Sequence, residues 1–242
     1  MTVATNNKSF YSPRNEGTRD RRQAPPHFYS AAPIDLNVII QHFTEDLEIT
    51  KELLALAREL DKSKNTKAES LRHALTARLS SMLDFYLHEL SRYVLTQIFQ
   101  DNWQTSDEYS KLAYDITIPE LNEIIYSDKK PVKMFYDFIS KKEHYRSYIN
   151  PNDIRQLLKR LCIPYEKVCS QSGYSVDKCN QILESLKRDR HTVVHQSGRQ
   201  SHTAKPISIT QADLEDKTNF LEKFVGAIQT TAEQLHKKGW IS

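Results

Sequence analysis

The sequence predicts an all-α protein, a compact bundle of long antiparallel helices, and three observations carry that reading. Only five glycines occur in 242 residues, too few for the turns of a β fold. Apolar residues recur every three or four positions over long stretches, which is the period of one helix face. Those stretches meet at short polar joints, as the arms of a helical hairpin do.

Taken in order, residues 1–33 are polar, basic and proline-bearing, with Pro25-Pro26 near their end. They read as a disordered tail outside a helical domain spanning 34–242. From Asp35 to Lys62 the spacing of Leu36, Ile39, Phe43, Leu47, Leu54 and Ala57 predicts an amphipathic helix. After a polar joint at Asp61 to Asn65, a longer helix is expected from Thr66 to Gln100, carried by Leu75, Leu79, Leu83, Tyr86, Leu90, Val94 and Ile98. Residues 101–150 are rich in aromatics interleaved with cations, including Trp103, Tyr126, Tyr136, Tyr145, Arg146 and Tyr148. Rings of this kind stack on nucleobases but more often fill cores; Tyr145 and Tyr148 are candidates for the mouth of a site. Short helices are expected at about 118–126 and 131–140. Asn152-Asp153 is the expected cap of a helix to Leu161, ended by Pro164. A further helix runs from Ser175 to His195, and Thr210 caps a last one to about Lys238. The polar loop between them carries Arg199 and His202.

Composition narrows the function classes. Hydrophobic and charged fractions of 38% and 27% are those of a folded globular chain. The net charge of +3 is that of residues 1–33 alone, so the remainder is neutral and offers no broad basic surface. No run has the apolar length of a membrane span, and no apolar signal core follows the N-terminus. Cys162, Cys169 and Cys179 have no zinc spacing and are odd in number, which suits free thiols in a reducing, cytoplasmic setting. His191 and His195 have the separation of a zinc-protease pair, but Thr192 stands where its glutamate would be. With no phosphate loop and no nucleophile elbow, neither a metal nor another cofactor is expected.

The segment that concentrates chemistry is Leu186-Lys187-Arg188-Asp189-Arg190-His191-Thr192-Val193-Val194-His195-Gln196-Ser197-Gly198. At about 100° per residue, His191 and His195 share a face. Arg190 and His195 stand roughly 140° apart on the same rule. Arg190 falls on the apolar stripe of Leu183, Leu186, Val193 and Val194, where its fork requires a carboxylate or a phosphate. Two readings follow from residue type. A histidine in the last helical turn can simply face the negative end of the helix dipole, with the arginine paired to a carboxylate. Alternatively, an imidazole that moves protons and a guanidinium that holds a phosphoryl group could cleave RNA, whose 2′-hydroxyl is its own nucleophile. A symmetric dimer would supply more such groups than one chain offers.

Arg190-His191-Thr192-Val193-Val194-His195 resembles the signature of the HEPN superfamily: an arginine, a polar residue, then a short apolar run ending in histidine. Ser80-Ser81-Met82-Leu83-Asp84-Phe85-Tyr86-Leu87-His88-Glu89-Leu90 resembles its long early helix, with an acid at Asp84. Asn150-Pro151-Asn152-Asp153-Ile154-Arg155-Gln156-Leu157-Leu158 resembles the segment ahead of the motif. The order of all three is similar to the RiboL-PSP-type branch over roughly residues 66–236. The resemblance implies a HEPN-like bundle and a metal-independent endoribonuclease, often a toxin or phage-defence effector, acting as a homodimer. It implies that Arg190 stabilises phosphate, His195 is base or acid, His191 tunes or orients them, and Asp84 supports Arg190 or His195 from behind. It equally admits a module that binds RNA, nucleotide or a partner protein without cutting, and a toxin held silent by an antitoxin.

Overall fold

A computed structural model describes residues 34–103, 117–126, 131–196 and 207–238, with positions 105, 107, 198 and 199. The tail 1–33 lies outside the described residues. The described residues form eight helices and no strand: α1 (Leu36–Lys62), α2 (Lys67–Phe99), α3 (Ile118–Tyr126), α4 (Pro131–Glu143), α5 (Pro151–Arg160), α6 (Tyr165–Gln171), α7 (Val176–His195) and α8 (Gln211–Lys238). The protein is all-α.

Helix α2 is the axis of the bundle. Its Leu79, Leu83, Tyr86, Leu87, Leu90 and Val94 are fully buried, so it is surrounded rather than laid on one side. α1 returns along it in antiparallel fashion: Arg72 pairs with Asp61, and Arg78 with Asp46. α4 also runs antiparallel to α2, with Phe135 stacked on Phe99 at 4.3 Å and Ser91 Oγ donating to Glu143 at 2.9 Å. α8 closes the other side against α1, through Arg58–Glu215 and Lys51–Glu222. One core cluster takes side chains from α1, α2, α4, α5, α6, α7 and α8.

The caps explain where helices begin and stop. Asp35 accepts the Asn37 amide, Ser175 the Lys178 amide and Thr210 the Asp213 amide. α5 is capped by Asn150, which accepts the Asn152 amide at 3.2 Å with Pro151 in the first turn; this corrects the expected cap at Asn152-Asp153. Nor does Pro164 end α5. The chain turns at Cys162 (φ 60°), where Ile163 N–H reaches the Leu158 carbonyl at 2.8 Å. Pro164 instead opens α6, a short helix that the sequence pattern did not announce. No disulfide joins Cys162, Cys169 and Cys179. No helix of the described residues is long and apolar enough to cross a membrane.

Candidate active site

Helix α7 presents the motif because one of its faces is apolar. Cys179, Leu183 and Leu186 are buried, and Val193 packs at the edge of the core. Below the motif, Asp189 meets Lys217 of α8 at 2.5 Å, and Lys217 also meets Asp213 at 2.5 Å. The lysine is only 2% exposed. Two carboxylates around one buried ammonium satisfy its charge and fix α7 against α8 one residue before Arg190.

Arg190, His191 and His195 line a single open depression of about 460 Å³, together with Ile149, Glu184, Lys187, Arg188, Thr192 and Gln196. The helical wheel separates Arg190 from His195 by angle, but a long arginine side chain and a position at the helix end bring both to one hollow. The two imidazoles are neighbours, with ring centroids 5.0 Å apart. Arg190 is half-buried. Among the described residues it pairs with no carboxylate, which removes the ion-pair partner that a structural arginine would need. Val194, expected on the apolar stripe, is 50% exposed.

The motif helix stops where its sequence requires. Gln196 N–H and Gly198 N–H both reach the Thr192 carbonyl, at 3.1 and 3.0 Å. Gly198 takes φ +70°, and a β-carbon there would come within 2.5 Å of the His73 ring on α2. Arg199 is exposed, and His202 lies outside the described residues.

Asp84 stands elsewhere than expected. Its carboxylate accepts Tyr148 N–H at 2.5 Å and Ser147 Oγ at 3.3 Å, and lies 3.9 Å from His88 Nε2. It makes no hydrogen bond or ion pair to Arg190, His191 or His195. Its link to the motif is indirect: it holds the chain that places Ile149 in the depression. Tyr148 is buried, and burial beside Glu143 raises its phenol well above the ordinary range. It is therefore a strut and not part of the mouth.

Sequence reasoning did not single out Lys187, Ile149 or Lys217. Lys217 left one legible sign: a lysine at an apolar position of the α8 repeat, between Leu214 and Leu221, four residues after Asp213. Ile149 left none, because its place depends on the Asp84 contacts. Among the described residues no group of three or more His, Cys, Asp or Glu is placed to hold a metal ion.

Fold and site together define an all-helical protein of the HEPN class. The family model described as RiboL-PSP-HEPN matches residues 44–234, and the chain belongs to that family. No curated protein and no solved structure matches the chain. HEPN membership gives a ribonuclease-like or RNA-related functional frame.

Proposed function

We propose that the protein is a metal-independent endoribonuclease that cleaves RNA by attack of its own 2′-hydroxyl, serving as a toxin or phage-defence effector. The observation that carries this reading is the convergence of Arg190, which pairs with no described carboxylate, with two neighbouring imidazoles in one open hollow. The guanidinium holds the non-bridging oxygens and stabilises the charge that grows on them. His195, as base, takes the 2′-hydroxyl proton. The freed oxygen forms a bond to phosphorus, the bond from phosphorus to the 5′-oxygen breaks, and that oxygen is protonated by a second imidazole acting as acid. That acid comes from a second copy of the chain facing the first across a homodimer, while His191 tunes or orients His195. Asp84 supports the site through the Ile149 wall. The substrate is thus RNA, the compartment the cytoplasm, and an antitoxin is an expected partner.

The test is incubation of the purified protein with single-stranded RNA in excess chelator. Fragments ending in a 2′,3′-cyclic phosphate are expected. The neutral body of the chain favours a second reading, a HEPN module that binds RNA or a protein without cutting; retention of intact RNA on the protein would select it.

A further inference from the structure

A second hollow, of about 620 Å³, opens between the last turns of α7 and residues 207–213 at the start of α8. It adjoins the Arg190–His195 depression. Arg188, Thr192 and Gln196 line both. Spaced four residues apart, these three form one ridge along the helix, and the two hollows lie on its two flanks.

The flanks differ in charge. The motif side gathers Lys187, Arg190 and two imidazoles against one acid, Glu184. In the second hollow, Arg188 is the one cation among the described lining residues, and it is engaged there. Its Nε lies 3.5 Å from Asp189, and its Nη2 donates to Ser185 Oγ at 3.2 Å. Asp189 and Asp213, the two acids of that lining, both hold the buried Lys217 ammonium. Two carboxylates thus stand against two cations, and the hollow carries no surplus positive charge for a phosphate. Its remaining wall is partly apolar, with Ile207 half-buried and Ile209 buried.

A nucleotide carries a phosphate and a base on one sugar, and single-stranded RNA is read through bases turned out of the strand. A cationic hollow and a neutral one on either side of a single ridge match those two parts. The base is further specified by the acceptors. A carboxylate only accepts hydrogen bonds, and each of its oxygens has two acceptor sites. Asp213 is 44% exposed at its side chain and meets Lys217 through Oδ2, so acceptor sites remain for a ligand. Guanine is the base whose pairing edge shows two adjacent donors, N1–H and the N2 amino group, which match a carboxylate fork. Uracil shows one N–H between two carbonyls, which a carboxylate repels.

Resting on the RNA reading above, we propose that the second hollow is a base subsite selective for guanine: the strand places a phosphate at Arg190, and the guanine beside it crosses the Arg188–Thr192–Gln196 ridge to donate N1–H and N2–H to Asp213.

The test measures binding of 2′-O-methyl oligonucleotides, which lack the nucleophile, to the full chain. The strands are all uridine, or uridine with one central guanosine or inosine. The guanosine strand is expected to bind roughly 5- to 150-fold more tightly than the uridine strand, and the inosine strand, without the N2 amino group, in between. Asp213→Asn, which keeps an acceptor for Lys217, is expected to lose most of the guanine advantage. Ile207→Trp, which fills the hollow without touching the Lys217 pairs, is expected to lose it too, with circular dichroism confirming both folds. Equal binding of all three strands by the parent overturns the proposal, as does no binding at all, or a guanine advantage that survives in both variants. A parent that prefers guanine but cuts no natural RNA would leave the subsite standing and sink only the cleavage reading. A parent that cuts RNA without regard to base would sink only the subsite.

Discussion

Lys217 Nζ lies 2.5 Å from Asp189 Oδ2, and Asp189 directly precedes Arg190 in the chain. A buried ammonium on α8 thereby fixes the turn of α7 that carries the motif. Breaking such a pair costs about 2–4 kcal/mol here, because Asp213, 44% exposed, retains water and Asp189 keeps the exposed Arg188 at 3.5 Å. Lys217→Met should therefore lower the unfolding free energy by about 2–4 kcal/mol, read from chemical denaturation. It should also reduce RNA cleavage at temperatures where the variant is still folded. Lys217→Arg, which keeps the charge, should recover part of both. Full stability in Lys217→Met would show that the pair holds nothing.

Gly198 is required twice over, by its φ of +70° and by the His73 ring that a β-carbon would strike. The left-handed conformation alone costs an L-residue about 1–2 kcal/mol. Gly198→Ala should lose about 1–3 kcal/mol once the displaced His73 ring is included. Thermal unfolding measures this, and an unchanged midpoint would mean that the exit of α7 is free to rearrange.

Just past the C-terminus of α1 a glycine is missing where one would help. Lys64 takes φ 54°, with Lys64 N–H on the Asp61 carbonyl and Asn65 N–H on the Leu60 carbonyl, both at 2.9 Å. Relief of the left-handed strain outweighs the extra entropy of glycine in the unfolded chain. Lys64→Gly should gain about 0.5–1 kcal/mol, read from chemical denaturation.

Burial raises the phenols of Tyr86, Tyr148 and Tyr165 above the ordinary tyrosine value. A raised folded-state value stabilises the fold below the unfolded value of about 10. That stability is lost as pH climbs beyond it, because the unfolded chain releases protons that the folded chain retains. Part of the tyrosinate absorbance should thus appear only together with unfolding, as these three buried phenols are released. A single smooth rise with helicity retained would contradict the burial of these three.

Helix periodicity made the fold legible because burial repeats every turn: Leu79, Leu83, Tyr86 and Leu90 announce α2, and each is fully buried. Termini were legible where a side chain caps its own helix, as at Asp35, Ser175 and Thr210. The ends near Lys62 and Leu161 followed from where the apolar repeat stops, although the left-handed turns at Lys64 and Cys162 carry no glycine to mark them. The short α6 after Cys162 went unannounced. In the site, Arg190, His191 and His195 were readable because they are close in sequence. Asp84 was singled out, but its partners Ser147 and Tyr148 are more than 60 residues away. No pattern within one helix reveals such a pairing. The 140° between Arg190 and His195 on a helical wheel misled for a related reason: a wheel ignores side-chain length.

The central claim is that Arg190 and His195 act together on a phosphodiester. The most direct measurement is the initial rate of RNA cleavage by Arg190→Ala and His195→Ala, each checked by circular dichroism for an unaltered fold. Removal of either a charge-stabilising group or a proton-transfer group is predicted to slow cleavage by about 100-fold or more. Either variant cutting RNA as fast as the parent would contradict the account.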